Sequence, residues 1–442
     1  MSVVHPSSEL ATQTVWPLDR IKDHAHKIGS GVTPSGGAAA YLDSGIPLLR
    51  SQNVHFDGLR LDDVAYIAEE THEEMSGTKL REGDVLLNIT GASIGRCSFV
   101  PAGFGEGNVN QHVCIIRSSA RLDHRFLTYC LTAPWGQDQI LSSFTGASRQ
   151  GLGQRDLGEI QLPLPPLVEH GRIAAYLAAS CGAIDAAVAA KRCQLDTLDA
   201  LTIATIHGAV THGLNPDARM KPSGLDWLSE IPAHWRVRQI KRVCDLVRGQ
   251  FTHRPRTDPA LYDGEYPFVQ TGDITSARKY IRTHSQTLNE LGLSVSKMFS
   301  RGTLVMSIAA NIGDVAILDF DACFPDSMIG MIPSHETDID YLFYLMRAMK
   351  SIMLRSAVLS TQLNTNYVRI GTNFAAFPPK NEQKSIADFL DAKEHELLTT
   401  RTVIEQQVDT LVAYRKSLIH ECVTGQQRVT AADVQRVMMA AG

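Results

Sequence analysis

The chain has 442 residues, of which 44% are hydrophobic and 20% charged, and a formal charge of −5. That length holds two to four domains, and the composition excludes a disordered chain. The negative total excludes a uniformly basic nucleic-acid binder, but residues 17–165 sum to −4 and residues 231–378 to +3, which leaves room for local basic loops facing phosphate.

Residues 1–16 lack a basic start followed by an apolar run, so no signal peptide is expected. No stretch of about 18 apolar residues stands out, so no membrane span is expected. The eight cysteines form no Cys-x-x-Cys pair, which argues against a zinc site and for a reducing cytoplasm.

Residues 1–165 read as a first globular part of short strands broken by Gly and Asn turns. Residues 84–89 and 113–116 are apolar runs of buried strands, and 122–131 has helical spacing. Pro165-Pro166 stops the last strand and opens a long helix through 166–213, which Gly213 ends. Residues 214–230, with Pro216, Pro222 and Gly224, read as a linker. A second globular part follows over 231–378, with strands at 303–308 and 329–332 and a helix at 339–349. Pro378-Pro379 opens a second long helix through 379–425, and 426–442 forms a tail.

These two halves are copies. Trp16, Ile21 and Lys22 recur 219 residues later as Trp235, Ile240 and Lys241, and Gly83 recurs as Gly302 at the same offset. Ile94-Gly95 recurs as Ile312-Gly313 at 218. From Pro165-Pro166 onward the offset holds at 213, through Ile173-Ala174 and Ile386-Ala387 to Val210-Thr211 and Val423-Thr424. Loops that gain and lose residues make an offset drift, whereas a packed helix cannot tolerate insertion.

In the second helix Leu390, Leu397, Ile404, Leu411 and Leu418 fall every seven residues, the spacing of a coiled-coil seam. The matching positions of the first helix are Leu177, Ile184, Lys191, Leu198 and Thr205, a weaker copy with Val188 and Leu195 adding apolar surface. Two equivalent helices in one chain are expected to pack on each other, antiparallel, about a pseudo-twofold axis. The expected fold class is therefore two α/β domains in pseudo-twofold arrangement, separated by two long antiparallel coiled-coil helices.

Polar loops at matched places are the candidate DNA-reading residues, because their side chains can bond base edges or position phosphates. They are Arg50, Gln52 and Asn53 opposite Gln270, Thr271 and Asp273, and Thr90, Ser93 and Arg96 opposite Asn311. Asn110 and Gln111 stand opposite Asp326 and Ser327, and Ser148, Arg149 and Gln150 opposite Thr361, Gln362 and Asn364. Taken one at a time, such residues also serve as turn caps. Unlike residues at matched loops are what two readers of different half-sites need.

Enzymatic motifs are weak. Phe377-Pro-Pro-Lys380 lacks the polar first and aromatic last residue of an adenine methyltransferase loop. Gly103-Phe-Gly-Glu-Gly107 leads into an apolar strand rather than the helix that a cofactor loop needs. No phosphate loop is present, and His72-Glu-Glu lacks the second histidine of a zinc protease helix.

Lys27-Ile-Gly-Ser-Gly-Val-Thr-Pro-Ser with Gly45-Ile-Pro-Leu-Leu-Arg-Ser-Gln-Asn-Val54 resembles the opening of a target-recognition domain of type I restriction-modification specificity subunits. Arg254-Pro-Arg with Tyr266-Pro-Phe-Val-Gln-Thr-Gly-Asp-Ile274 resembles a second. Leu162-Pro-Leu-Pro-Pro-Leu-Val-Glu-His170 and Phe377-Pro-Pro-Lys-Asn-Glu-Gln383 resemble the family's entry into its helices. Asp226-Trp-Leu-Ser-Glu-Ile-Pro-Ala-His-Trp235 resembles the usual lead into the second domain, and Tyr414-Arg-Lys-Ser-Leu-Ile-His-Glu-Cys-Val-Thr-Gly425 the end of the last helix. The resemblance spans residues 15–425.

It implies a cytoplasmic, non-catalytic subunit in phage defence, whose two domains each read half of a bipartite site in double-stranded DNA. It implies docking of two methyltransferase subunits on the helices, and two restriction subunits in the full assembly. No cofactor is expected in this chain; S-adenosylmethionine, ATP and magnesium belong to the partners. The competing reading is a duplicated helical protein-binding scaffold with no DNA role. His170 stands where the second half has Gln383, and Lys191 interrupts the first seam.

Overall fold

The computed structural model describes residues 14–145, 151–309, 311–358 and 367–441. The chain divides into two compact units, one of residues 1–192 with 405–442 and one of residues 193–404. Each unit thus takes one globular part and half of each long helix.

The first unit opens with β1 (Leu18–Arg20) and β2 (Ala25–Ser30), followed by β3 (Ile46–Leu49), β4 (Ala65–Ile67), β5 (Val85–Asn88), β6 (Cys97–Phe99), β7 (Asn108–Val109) and β8 (Val113–Ser118). Its main sheet has the order β2-β8-β5-β6, and β4-β3-β7 forms a second sheet. All four residues of β5 are buried, as a central strand covered on both faces requires. Helices α1 (His124–Thr132), α2 (Pro134–Thr145) and α3 (Gln154–Glu159) follow, and Phe126, Leu127, Cys130 and Leu131 of α1 join the core formed by Val85, Leu87 and Ile116. Strand β9 (Gln161–Pro163) returns to pair with β1, Leu18 opposite Pro163. The start and end of the globular part therefore meet just before α4 (Leu167–His212).

The second unit repeats this plan. After a hairpin of β10 (Met220–Leu225) and β11 (Leu228–Pro232) come β12 (Arg236–Gln239), β13 (Cys244–Arg248), β14 (Tyr262–Phe268), α5 (Thr271–Ser276), β15 (Tyr280–Ile281), β16 (Gln286–Leu288) and β17 (Met298–Phe299). They are followed by β18 (Leu304–Ser307), β19 (Val315–Leu318), β20 (Ala322–Cys323), β21 (Met328–Pro333), α6 (Ile339–Ala348), α7 (Lys350–Val358), α8 (Tyr367–Thr372) and β22 (Phe374–Phe377). The main sheet β13-β21-β18-β19-β15 keeps the first unit's order and adds β15 at its edge. The second sheet is β16-β14-β20-β17, and β12 pairs with β22 as β1 pairs with β9. The strands and helices expected at 84–89, 113–116, 122–131, 303–308, 329–332 and 339–349 all form, within a few residues at their ends.

Helix α9 (Lys380–Thr424) is the counterpart of α4, and both begin directly after their Pro-Pro pair. Gly213 and Gly425 end them at φ of 74° and 80°, a left-handed turn that only glycine makes freely. Each glycine faces an indole, Trp235 against Gly213 and Trp16 against Gly425, which accounts for the recurring tryptophan. The helices run antiparallel in both units. Asp185 pairs with Arg415 at 2.9 Å in the first, and Asp199 with Arg401 in the second, and the two pairs of residue numbers share one total.

That register brings Leu177, Cys181, Ile184 and Val188 together with Leu418, Ile419, Cys422 and Val423 in the first core. In the second core Ile206, Ala209 and Val210 meet Ile386, Ala387 and Leu390. Each large side chain so covered contributes about 1.5–3 kcal/mol. Leu198, Leu397 and Leu411 of the expected seam are half-buried, Ile404 is buried, and Ile206 rather than Thr205 fills the last position of the first helix.

Two expectations need correction. Residues 214–230 are not an open linker: Met220 pairs with Pro232, Lys221 with Ile231 and Leu225 with Leu228, and Leu228 and Ile231 are buried in the second core. Helix α4 is also long and apolar enough, by composition, to cross a membrane, with a mean hydropathy of 1.6 over an 18-residue window. Its many alanines raise that value; of its larger apolar residues Leu177, Ile184 and Val188 are buried in the first core, whereas Leu201 and Ile203 are exposed. The tail outside the repeat forms α10 (Ala431–Ala441), with Val429 buried in the first core and the Arg428 guanidinium 4.4 Å from the Trp16 ring centroid.

One latch ties each globular part to its helix. In the second unit the Gln383 amide donates to the Pro378 carbonyl at 2.9 Å, and its oxygen accepts the Asp338 backbone N–H at 2.8 Å. In the first unit His170 does both jobs: Nε2 donates to the Pro165 carbonyl at 2.9 Å, and Nδ1 faces the Asp123 backbone N–H at 3.5 Å. Asp123 and Asp338 are the caps of α1 and α6, so the latch fixes a helix start. Only neutral imidazole can accept at Nδ1, and burial holds the His170 pKa below its ordinary 6.5. The unfolded chain therefore binds more protons at this residue just below about pH 6.5, and stability falls as pH falls through that range. His170→Gln, which installs the second unit's own solution, should flatten this loss. Unfolding midpoints of the two proteins compared between neutral and mildly acid pH check it; identical pH dependence would contradict the assignment.

Candidate nucleic-acid interface

Antiparallel pairing places three loops at one end of the first unit's main sheet. Strand β2 ends at Ser30, β5 ends at Asn88 and β8 begins at Val113, with Cys114 opposite Ser30 and Val113 opposite Asn88. The loops after Asn88 and before Val113 therefore meet. Gln111 Nε2 donates to His112 Nε2 at 3.0 Å, which leaves the imidazole proton on Nδ1 to bond Thr90 Oγ1 at 2.7 Å. The loop at 50–53 joins them, because Asn88 Nδ2 donates to the Ser51 carbonyl at 2.7 Å. Gly151 bridges to Thr90, and Gln154 donates to Ser30 Oγ at 3.3 Å. Thr90, Gln111, Arg50 and Gln52 thus share one region, with Ser93 and Arg96 on the turn beyond Thr90 and both half-buried.

Some candidate readers are engaged locally. Asn53 is 1% exposed, accepts the Arg50 backbone N–H at 2.9 Å and donates to the Arg60 and Asp63 carbonyls. Asp273 accepts the Gln270 N–H at 2.7 Å in the same way. These two residues are caps of matched turns. Asn110 is buried and accepts the His112 backbone N–H at 3.1 Å. Arg50 donates to the Asp63 carbonyl and lies over Tyr41, and Gln52 pairs with the Asp63 carboxylate.

The second unit has the same sheet end. Its β13 ends at Arg248, β18 at Ser307, and β21 starts at Met328. Asn311 donates to Thr275 Oγ1 at 3.0 Å, Gln270 donates to Gln286 at 3.0 Å, and Thr271 opens α5. The Ser327 carbonyl accepts the Ile308 N–H. Asp326 is held by Arg254 and Arg256 rather than standing open. Ser148, Arg149, Gln150, Thr361, Gln362 and Asn364 lie outside the described residues.

The candidate set omitted His112, on which Thr90 and Gln111 converge, and Arg248, Arg254 and Arg256. The signal for the arginines was available: three fall within nine residues, from Arg248 to Arg256. Glu69, His72 and Glu73 bring their ligand-type atoms within 4.8 Å of one another, but Glu73 is paired with Lys79 and His72 Nδ1 with Asn108.

The family model for the type I restriction modification DNA specificity domain matches residues 44–185 and 232–408. The chain belongs to that family. Its two matches fall one on each copy of the repeat, and each runs from a globular part into the long helix that follows. The protein described as "Putative type I restriction enzyme MjaX specificity subunit" of Methanocaldococcus jannaschii is 22% identical over 432 residues, covering 94% of both chains. "Putative type I restriction enzyme specificity subunit S.HindORF215P" of Haemophilus influenzae is 23% identical over 72% of this chain and 77% of its own. The HsdS subunit from Thermoanaerobacter tengcongensis shares the fold with a TM-score of 0.55 at 16% identity, over 93% of this chain and 97% of its own. A structure from work on complex assembly and conformational transition of the type I R-M system gives 0.73 at 16% identity, over 93% of this chain and 98% of its own. The chain is accordingly a type I restriction-modification specificity subunit.

The cap assignment has a direct check. Asn53→Ala leaves a buried turn unsatisfied and should cost about 1–3 kcal/mol in chemical denaturation. An unchanged midpoint would contradict the cap assignment.

Proposed function

We propose that the two units each read one half of a bipartite DNA site, and that the chain itself carries no catalytic step. One observation supports this most: the same sheet order occurs twice, with unlike residues on the loops at the same sheet end. Thr90 stands where the second copy has Ala309, Asn110 where it has Asp326, and Arg50 where it has Gln270. A repeated frame with changed loops can place different hydrogen-bonding groups against different bases.

In this reading the paired helices dock two methyltransferase subunits, which use S-adenosylmethionine to methylate adenine N6. Two restriction subunits, using ATP and magnesium, cut unmodified DNA. Methylome sequencing of cells with and without the chain should reveal a split adenine-methylated motif that depends on it. Loss of no such motif would defeat the proposal.

The helices also set the gap between half-sites. An insertion in α4 alone would break the antiparallel register with α9, so the test inserts one heptad in each, between 191 and 195 and between 404 and 408. Seven residues at about 1.5 Å add about 10 Å, or about three base pairs at 3.4 Å each. The motif should keep both half-sites and gain a gap of about that length. A changed half-site with the old gap would contradict the spacer role.

A further inference from the structure

Three arginines of the second unit converge on one acidic residue. Arg254 Nη2 lies 3.7 Å from Asp326 Oδ2, Arg256 pairs with Asp326 Oδ1, and Arg248 Nε donates to the Asp326 carbonyl at 2.8 Å. The side chains of Arg254 and Arg256 nonetheless keep 54% and 43% of their exposure. The backbone beneath them is held in place. The Gly249 and Gln250 N–H groups donate to the Met328 and Phe324 carbonyls, and a Cβ at Gly249 would meet the Pro325 oxygen at 2.3 Å. The Tyr262 hydroxyl donates to the Arg256 carbonyl, and Arg254 Nη1 donates to the Phe251 and His253 carbonyls at 2.7 and 2.8 Å.

Arg248, Arg254 and Arg256 stand against Asp326 and Asp258, the latter paired with His253 at 3.0 Å, so the braced loop keeps an excess of one positive charge. That loop stands at the sheet end that carries Asn311 and Ser327. The matching loop of the first unit, residues 31–45 between β2 and β3, contains no lysine or arginine, and its one charged residue is Asp43.

We propose that Arg254 and Arg256 form a phosphate clamp that the first unit lacks, so that the two half-sites are gripped unequally. The proposal rests on the DNA-reading role above. A planar guanidinium fork matches phosphate oxygens and carries no base information there. Asp326 is the splint of the clamp and not a base reader, since both its carboxylate oxygens face arginines. The looser of the two contacts, at Arg254, is the one a phosphate displaces with least loss.

The test uses the full chain bound to its methyltransferase partner. Binding is measured against salt on two duplexes, one carrying the motif that the wild-type complex methylates and one without it. Arg254→Gln with Arg256→Gln should lower the slope of log K against log salt by about 1.8 on both duplexes, from two lost phosphate contacts. The methylated motif should stay the same. An unchanged slope overturns the clamp, and so does a changed base in the motif, which would make the arginines readers. Asp326→Asn should also leave the motif bases intact; a change in the second half-site overturns the splint assignment. Thermal midpoints of the arginine variants, expected to match wild type because the Arg254 and Arg256 side chains are exposed, exclude misfolding, and the midpoint of Asp326→Asn, whose side chain is 35% exposed, is measured beside them. A wild-type complex that binds neither duplex would refute the DNA role itself, a result distinct from any of these.

Discussion

The antiparallel seam between the two long helices is the constraint on which both units depend. Each half of α4 and α9 shares its core with nearby segments, such as Leu162 in the first unit and Leu228 and Trp235 in the second, but needs the opposite helix to close it. Leu177 and Ile184 are closed off by Leu418 and Cys422, and Ile206 and Val210 by Ile386 and Leu390. Each core therefore contains side chains more than 170 residues apart in the chain. Contacts of such separation must overcome a large loop-closure entropy before they repay it. Neither unit can complete its core until α9 has been made, and an insertion in one helix would shift its face against the other, which accounts for an offset that holds at 213 over the helices while it drifts in the globular parts.

The frame is conserved as geometry rather than as residue identity. His170 and Gln383 share no chemistry beyond one donor and one acceptor at similar reach, and that is all the latch requires. Asp84 and Thr303 occupy matched positions before the central strand. Asp84 is fully buried and takes a two-pronged contact from Arg117 at 2.7 Å, whereas Thr303 donates to the Ser300 carbonyl at 2.7 Å. A buried ion pair and a neutral hydroxyl solve the same turn because each leaves no polar atom unmatched.

This explains what could be read from the amino-acid order. The heptads from Leu390 to Leu418, the Pro-Pro helix starts and the apolar strand runs are signals of period and punctuation, and all are realised in the fold. The hairpin over 220–232 was hidden because Pro222 and Gly224 are breakers in most settings. Here the ladder shifts register between Pro222 and Leu225, and Gly224 takes φ of 74°, so both fit a two-stranded hairpin at an irregularity of its ladder. Caps and readers draw on the same polar residues, and only the bonds of Asn53 and Asp273 distinguish them.

A chain of charge −5 meets DNA on local terms. At physiological salt the screening length is about 8 Å, so carboxylates elsewhere on the fold scarcely act at a phosphate touching one loop. What counts is the charge within one such length of the contact. Around Asp326 three guanidiniums gather within hydrogen-bonding or ion-pair reach of a single residue. Around Thr90 the matching groups are an imidazole and an amide. On the proposed reading both sheet ends offer directional hydrogen bonds, with Arg50 of the first held by the Asp63 carbonyl and the Tyr41 ring, and the second adds electrostatic hold. That division rests on which loop carries arginines, not on the strand order, which the two main sheets share.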